Sequence, residues 1–156
     1  MAEFSAHTFA VELYLPGRDD PLCQAGFRDC EGLELSREVT VLREGGERRG
    51  PRLAVGPEAP GRVTLRRGMT PSFDLWDWWD AVRKDPALRA RGEIVLLSAD
   101  HTAELVRFRL HGCVPVRLAG PDLRAAESGI ALETLELACE RIELVRPRRR
   151  RPSRSR

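Results

Sequence analysis

The stretch Val63–Val82, VTLRRGMTPSFDLWDWWDAV, constrains this chain more than any other. It carries all three tryptophans beside a short strand and the clearest helix start. Over Val63–Arg67, Val63 and Leu65 share one face and Thr64 and Arg66 the other, the period-two pattern of a half-buried strand. Gly68 interrupts it. Thr70 is a suitable N-cap and Pro71 a suitable first helical residue, because the missing proline N–H would have no partner there. The spacing predicts a helix over about residues 71–85, ended by Asp85-Pro86. Leu75, Trp76, Trp79 and Val82 form its packing stripe, and Trp78 falls off that stripe beside Asp77 and Asp80. So large an aromatic face must lie on something, and nearly everything else reads as strand.

Phe9, Val11, Leu13 and Leu15 alternate with Ala10, Glu12 and Tyr14, giving a strand over 8–15. Residues 24–31 around Phe27 form a weaker strand. Leu33, Leu35, Val39 and Val41 alternate with polar residues in a long strand reaching about Leu42. Glu93–Ala99 has apolar residues on both faces, as a central strand does. It pairs across the Asp100-His101 turn with 103–110, where Val106, Phe108 and Leu110 oppose Arg107 and Arg109. Residues 114–118 extend that strand irregularly past Pro115, and 123–127 fit one helical turn. Residues 128–144 fit helical spacing through Leu132, Leu135, Cys139 and Ile142, and strand spacing through Leu135, Leu137 and Cys139; propensity alone leans to helix. The residues therefore predict a β-rich body with one helix packed on it.

At 156 residues the chain has room for one core domain, here residues 1–145. The net charge of +2 conceals an uneven distribution. The segment 146–156 holds seven arginines and no acid, and without it 19 basic residues face 24 acidic ones, a net of −5. The tail is expected to be disordered by itself, and a nucleic-acid-binding module gripping through it is the alternative of another class. The glycine- and proline-rich segment 43–61 is too polar for the core and too long for a tight connection. It reads either as a surface loop or as an arm that orders against a partner, with a hairpin through Arg52–Val55. No basic-then-apolar leader and no bilayer-length apolar run appear. The four cysteines lack CxxC spacing and read as free thiols of a protein made in the cytoplasm.

The search for chemistry comes back thin. His7, His101 and His111 are scattered. His111 and Cys113 would point the same way from a strand, but two ligands do not make a zinc site. Ser72, Ser98 and Ser128 lack a GxSxG setting, and Gly45-Gly46 does not join a strand to a helix. No enzyme, metal or cofactor is expected.

Five blocks, in order over roughly residues 8–140, resemble the tail tube protein family of contractile phages and phage-like injection systems. They are Phe27 with Gly32-Leu33-Glu34; Arg43-Glu44-Gly45-Gly46; Leu65-Arg66-Arg67-Gly68-Met69-Thr70 followed by Leu75-Trp76-Asp77-Trp78-Trp79; Val114-Pro115-Val116-Arg117 with Gly120-Pro121-Asp122-Leu123; and Glu133-Thr134-Leu135-Glu136-Leu137-Ala138. Gly112-Cys113-Val114 stands where the family has a tryptophan before the proline, and Arg141-Ile142 replaces its closing Gly-Leu. The resemblance implies a mainly β fold, an antiparallel barrel or sandwich with one flanking helix over about residues 71–85, with strand rather than helix near 132–140, and no enzymatic activity. It implies a homo-hexameric ring, stacked into the inner tube of a phage-tail-like particle, with sheath, baseplate or tube-cap proteins as partners and cargo in the lumen. It leaves open whether the chain is the repeated tube subunit or a tube–baseplate adaptor or initiator. Within this reading, long strands leave edges that sister copies close, and the 43–61 arm makes inter-ring contacts through Arg43, Glu44, Gly45, Gly46, Arg48 and Arg49.

Overall fold

A computed structural model describes residues 3–43, 45–46 and 50–147. Within them, nine strands and one helix run in the order β1 (Phe9–Tyr14), β2 (Cys23–Ala25), β3 (Asp29–Glu31), β4 (Arg37–Leu42), β5 (Arg52–Glu58), β6 (Gly61–Gly68), α1 (Asp74–Lys84), β7 (Ala90–Leu97), β8 (Glu104–Ala119) and β9 (Leu132–Val145). Seven form one antiparallel sheet, ordered β2-β1-β7-β8-β9-β6-β3; β4 and β5 form a separate two-stranded ribbon.

The two outermost strands of the sheet are consecutive in sequence. β2 pairs with β1 through Val11–Ala25, and β3 pairs with β6 through Cys30–Leu65. Only Gly26-Phe27-Arg28 separates them, a span of roughly 10–14 Å. One segment therefore holds both margins, and the sheet must curl until they nearly meet. This corrects the sequence reading, because residues 24–31 are two short strands rather than one. Each stands at an end of the strand order and pairs on one side only among the described residues.

The core lies inside the curl, built from Val11 and Leu13 of β1, Val63 and Leu65 of β6, Leu110 and Cys113 of β8, and Leu135, Leu137 and Cys139 of β9. Gly112, at φ +61°, reverses the side-chain alternation of β8, so that Leu110 and Cys113 both face inward. Leu132–Val145 is strand, as the family resemblance implied and propensity did not: Glu133, Leu135, Leu137 and Cys139 alternate inward, and the two flanking strands supply what local preference lacks. β8 continues through Pro115 with an irregularity before Arg117. Residues 123–127 make a turn and no helix.

Helix α1 begins at Asp74, not Pro71. Phe73 holds the N-cap position without a side-chain cap, and Thr70 Oγ1 accepts only the Ser72 N–H, at 3.3 Å. The start is fixed instead by Asp74, whose carboxylate is ion-paired with Arg67 and accepts the Leu75 N–H at 2.8 Å. Trp78, expected off the packing stripe, is the helix's deepest aromatic at 1% exposure alongside Leu75, while Trp76, Trp79 and Val82 are half-buried. Positions 75, 78 and 82 are as helical a stripe as 75, 79 and 82. With tryptophans at 76, 78 and 79, spacing alone does not choose the inward one, and the contacts of Asp74 with Arg67 and of Trp76 with Glu133 hold the helix with Trp78 inward.

Candidate assembly interface

Among the described residues, the ribbon is left without a partner layer. Val39 lies opposite Val55 and Val41 opposite Leu53, so these four side chains share one face. They are 55%, 65%, 51% and 63% exposed, respectively. The reverse face carries Thr40 opposite Ala54 and Leu42 opposite Arg52. The alternation read as part of a long barrel strand over 33–42 thus belongs to the arm: only Arg37–Leu42 is strand, and its apolar face meets no core. An isolated two-stranded ribbon is marginal in water, and an uncovered aliphatic face on one marks a contact surface.

Of the predicted contact residues, Arg43, Gly45 and Gly46 are described and follow β4 at the end of the ribbon. Arg43 is exposed, and Gly45 and Gly46 form an exposed turn in which Gly46, at φ +100°, needs the freedom of glycine. Glu44, Arg48 and Arg49 lie outside the described residues, as do Arg148–Arg156 and with them the tail on which nucleic-acid binding would depend. The residues the sequence reading missed are the four aliphatic ones. Their signal was present as the alternation of Leu53 and Val55 inside a segment read as polar.

Two polar clusters fix the body that carries the arm. Arg67, 4% exposed at its side chain, pairs with Glu133 at 2.5 Å and with Asp74, donates to Cys23 Sγ at 3.0 Å, and lies 5.5 Å over the Phe27 ring. Glu133 also accepts the Trp76 indole N–H at 2.9 Å. One guanidinium thus ties β6, β9, β2, the β2–β3 link and the start of α1 together. Burial pushes the Asp74 carboxyl up, but the Arg67 hydrogen bonds and charge outweigh it and hold the group below its ordinary range. On the outer side of the sheet, Glu93 is buried beneath Arg107 and Arg109, the latter at 3.0 Å, with Arg91 at 3.8 Å.

The candidate chemical residues do not converge. His111 and Cys113 do not point the same way: the Gly112 conformation sends His111 outward to Glu143, at 2.8 Å, and Cys113 inward to Cys139. His7 neighbours Ser5, His101 occupies a turn at φ +61°, and Ser98 donates to Asp100 at 2.6 Å. Among the described residues, no cluster of three His, Cys, Asp or Glu could hold a metal ion.

Several solved structures share this architecture. A chain of the baseplate of the anti-feeding prophage, 6-fold symmetrised, is 25% identical, with TM-score 0.81 over 93% of this chain and 97% of that one. A chain of the sheath–tube complex of an extracellular contractile injection system, PVC, in its extended state, is 20% identical, with TM-score 0.81 over 93% of both. A chain of the tube-terminating cap of the anti-feeding prophage is 20% identical, with TM-score 0.82 over 94% of this chain and 93% of that one. No curated protein sequence matches this one. The sequence itself matches the T4-like virus tail tube protein gp19 family across residues 5–143, and with that match the chain belongs to the tail tube proteins.

Proposed function

We propose that this tail tube protein self-assembles into six-membered rings that stack into the hollow inner tube of a contractile injection system, with the β4–β5 ribbon as the arm that locks copy to copy. The observation that carries the reading is the aliphatic face of Val39, Val41, Leu53 and Val55, displayed on a ribbon that no other element of the described residues covers. A second copy is the natural cover, because in a tube of stacked rings each subunit meets sister copies both within its ring and across rings. The ribbon's free edges also offer backbone donors and acceptors to a neighbouring strand.

In this arrangement Arg43, Glu44, Gly45, Gly46, Arg48 and Arg49 meet the adjacent ring at the arm's tip. The protein is made in the cytoplasm and assembled into the particle, where a sheath surrounds it, a baseplate and a cap close its ends, and the lumen takes cargo. The role is mechanical and asks no bond-breaking chemistry of the chain. The similarity to a baseplate chain favours one second reading, an adaptor ring between baseplate and tube.

Negative-stain microscopy separates these. Purified protein is expected to form long tubes, whereas an adaptor would stop at single rings. Replacing the arm, residues 37–58, by a short linker should leave a folded subunit that forms no tubes. Long tubes from that variant would overturn the role of the arm.

A further inference from the structure

Cys113 and Cys139 face each other in the core, and the tube role gives them nothing to do. They are directly opposed on β8 and β9, are essentially fully buried, and have their sulfurs 3.6 Å apart. The ladder places them more closely than that distance alone conveys. Pro115, opposite Leu137, has no N–H to exchange and so belongs in a non-hydrogen-bonded pair. Two residues along an unbroken register, Cys113 and Cys139 fall in the same class. Such pairs hold their Cα atoms about 4.5 Å apart, within the window that a disulfide bridges without moving the backbone. We infer that Cys113 and Cys139 are a cross-strand redox pair, which a peroxide converts to an intrachain disulfide stapling β8 to β9.

The pair is asymmetric. The Cys113 S–H donates to the Cys139 sulfur, which favours the thiolate at Cys139 and opposes ionisation at Cys113. In the oxidation, the Cys139 thiolate attacks one peroxide oxygen and the O–O bond breaks. The departing hydroxide takes up the Cys139 proton as water, and Cys139 is left as a sulfenic acid. The Cys113 sulfur then attacks the Cys139 sulfur and displaces hydroxide, which leaves as water with the Cys113 proton. The two thiols lose two electrons in all, and one peroxide is reduced to two waters. Access comes from the side of a cleft of about 630 Å³, lined in part by Ala90 and Gly112. Ala90 is the β7 partner of Cys113, and Gly112 adjoins it, so Cys113 neighbours two residues of the cleft wall and Cys139 lies across the next ladder from them.

Cys30 is the competing thiol, being only partly buried. Burial pushes its pKa up to about 11, which slows it as a nucleophile. The test treats the folded full-length chain, and a Cys30→Ser variant, with hydrogen peroxide. Intact mass and a non-reducing peptide map are then read. The expected results are loss of two hydrogens, a linked Cys113–Cys139 peptide, reversal by a phosphine reductant, and an upward shift in melting temperature. The linked peptide should form faster in the folded chain than in urea, and Cys139→Ser should abolish it. Cys113 and Cys139 recovered free while Cys30 is oxidised would overturn the inference. So would a link that forms only in urea. The wild-type map decides the matter even if Cys139→Ser fails to fold, and it does so whether or not the chain builds tubes.

Discussion

Replacing Val39 and Val55 together by threonine tests the arm without disturbing its shape. The two residues are directly opposed, and threonine keeps their branched outline and their preference for strand. In the isolated subunit they are 55% and 65% exposed, so the change should move subunit stability by no more than about 0.5 kcal/mol. In the proposed tube the same positions would be covered. Each substitution then forfeits about 0.8 kcal/mol of transfer free energy for the lost methyl. Each also buries a hydroxyl, at about 1–3 kcal/mol where no partner accepts it. With partial hydration of the contact, the pair should cost roughly 2–4 kcal/mol per arm, or ~30- to 1,000-fold in association, since a tenfold change is about 1.4 kcal/mol. Sedimentation across a concentration series reads this as a rise in the threshold for tube formation, and urea unfolding of the dilute subunit reads the control. An unchanged threshold would refute the argument that a second copy covers this face. An unchanged threshold together with an earlier unfolding transition would show that the face is covered within the subunit itself.

Three further outcomes concern the body. Glu133→Ala leaves buried Arg67 with Asp74 as its one remaining carboxylate among the described residues and removes the acceptor of the Trp76 indole, and should cost about 3–5 kcal/mol in urea unfolding. Trp78→Ala should cost about 3–5 kcal/mol, and Trp79→Ala roughly 1–2 kcal/mol because it is half-exposed, and the reverse order would contradict the orientation of α1. Asp74 has a folded-state pKa below its unfolded value of about 3.9, so its stabilisation is present above about pH 4 and is lost as pH falls through the folded value. Acid unfolding of Asp74→Asn should lack that component, and a curve parallel to wild type below pH 4 would count against the ion pair.

The family, the fold class and most of the strands were legible in the chain, because their signals are local. Period-two alternation marked β1, β6 and the β7–β8 hairpin, and the ordered blocks around Arg67–Thr70 and Leu75–Trp79 carried the resemblance. β9 was legible only through that resemblance, since Leu132–Ile142 satisfies both periods and only its paired neighbours choose between them. The arm was visible as a segment unsuited to the core, but its contact face was not. Val39 and Val41 alternate as a core strand would, and alternation says only that one face is apolar, not what that face meets.

What the sequence determined by itself was therefore the kind of object: a strand-rich tube protein with one aromatic helix and a segment outside its core. Tertiary structure alone decided that Cys23–Glu31 spans both margins of the sheet, that Trp78 rather than Trp79 turns inward, and that Arg67 joins four elements. Periodicity fixes which residues share a face within one element. Which face is buried depends on partners brought together from distant positions, such as Arg67 and Glu133, 66 residues apart, and no local pattern encodes that meeting.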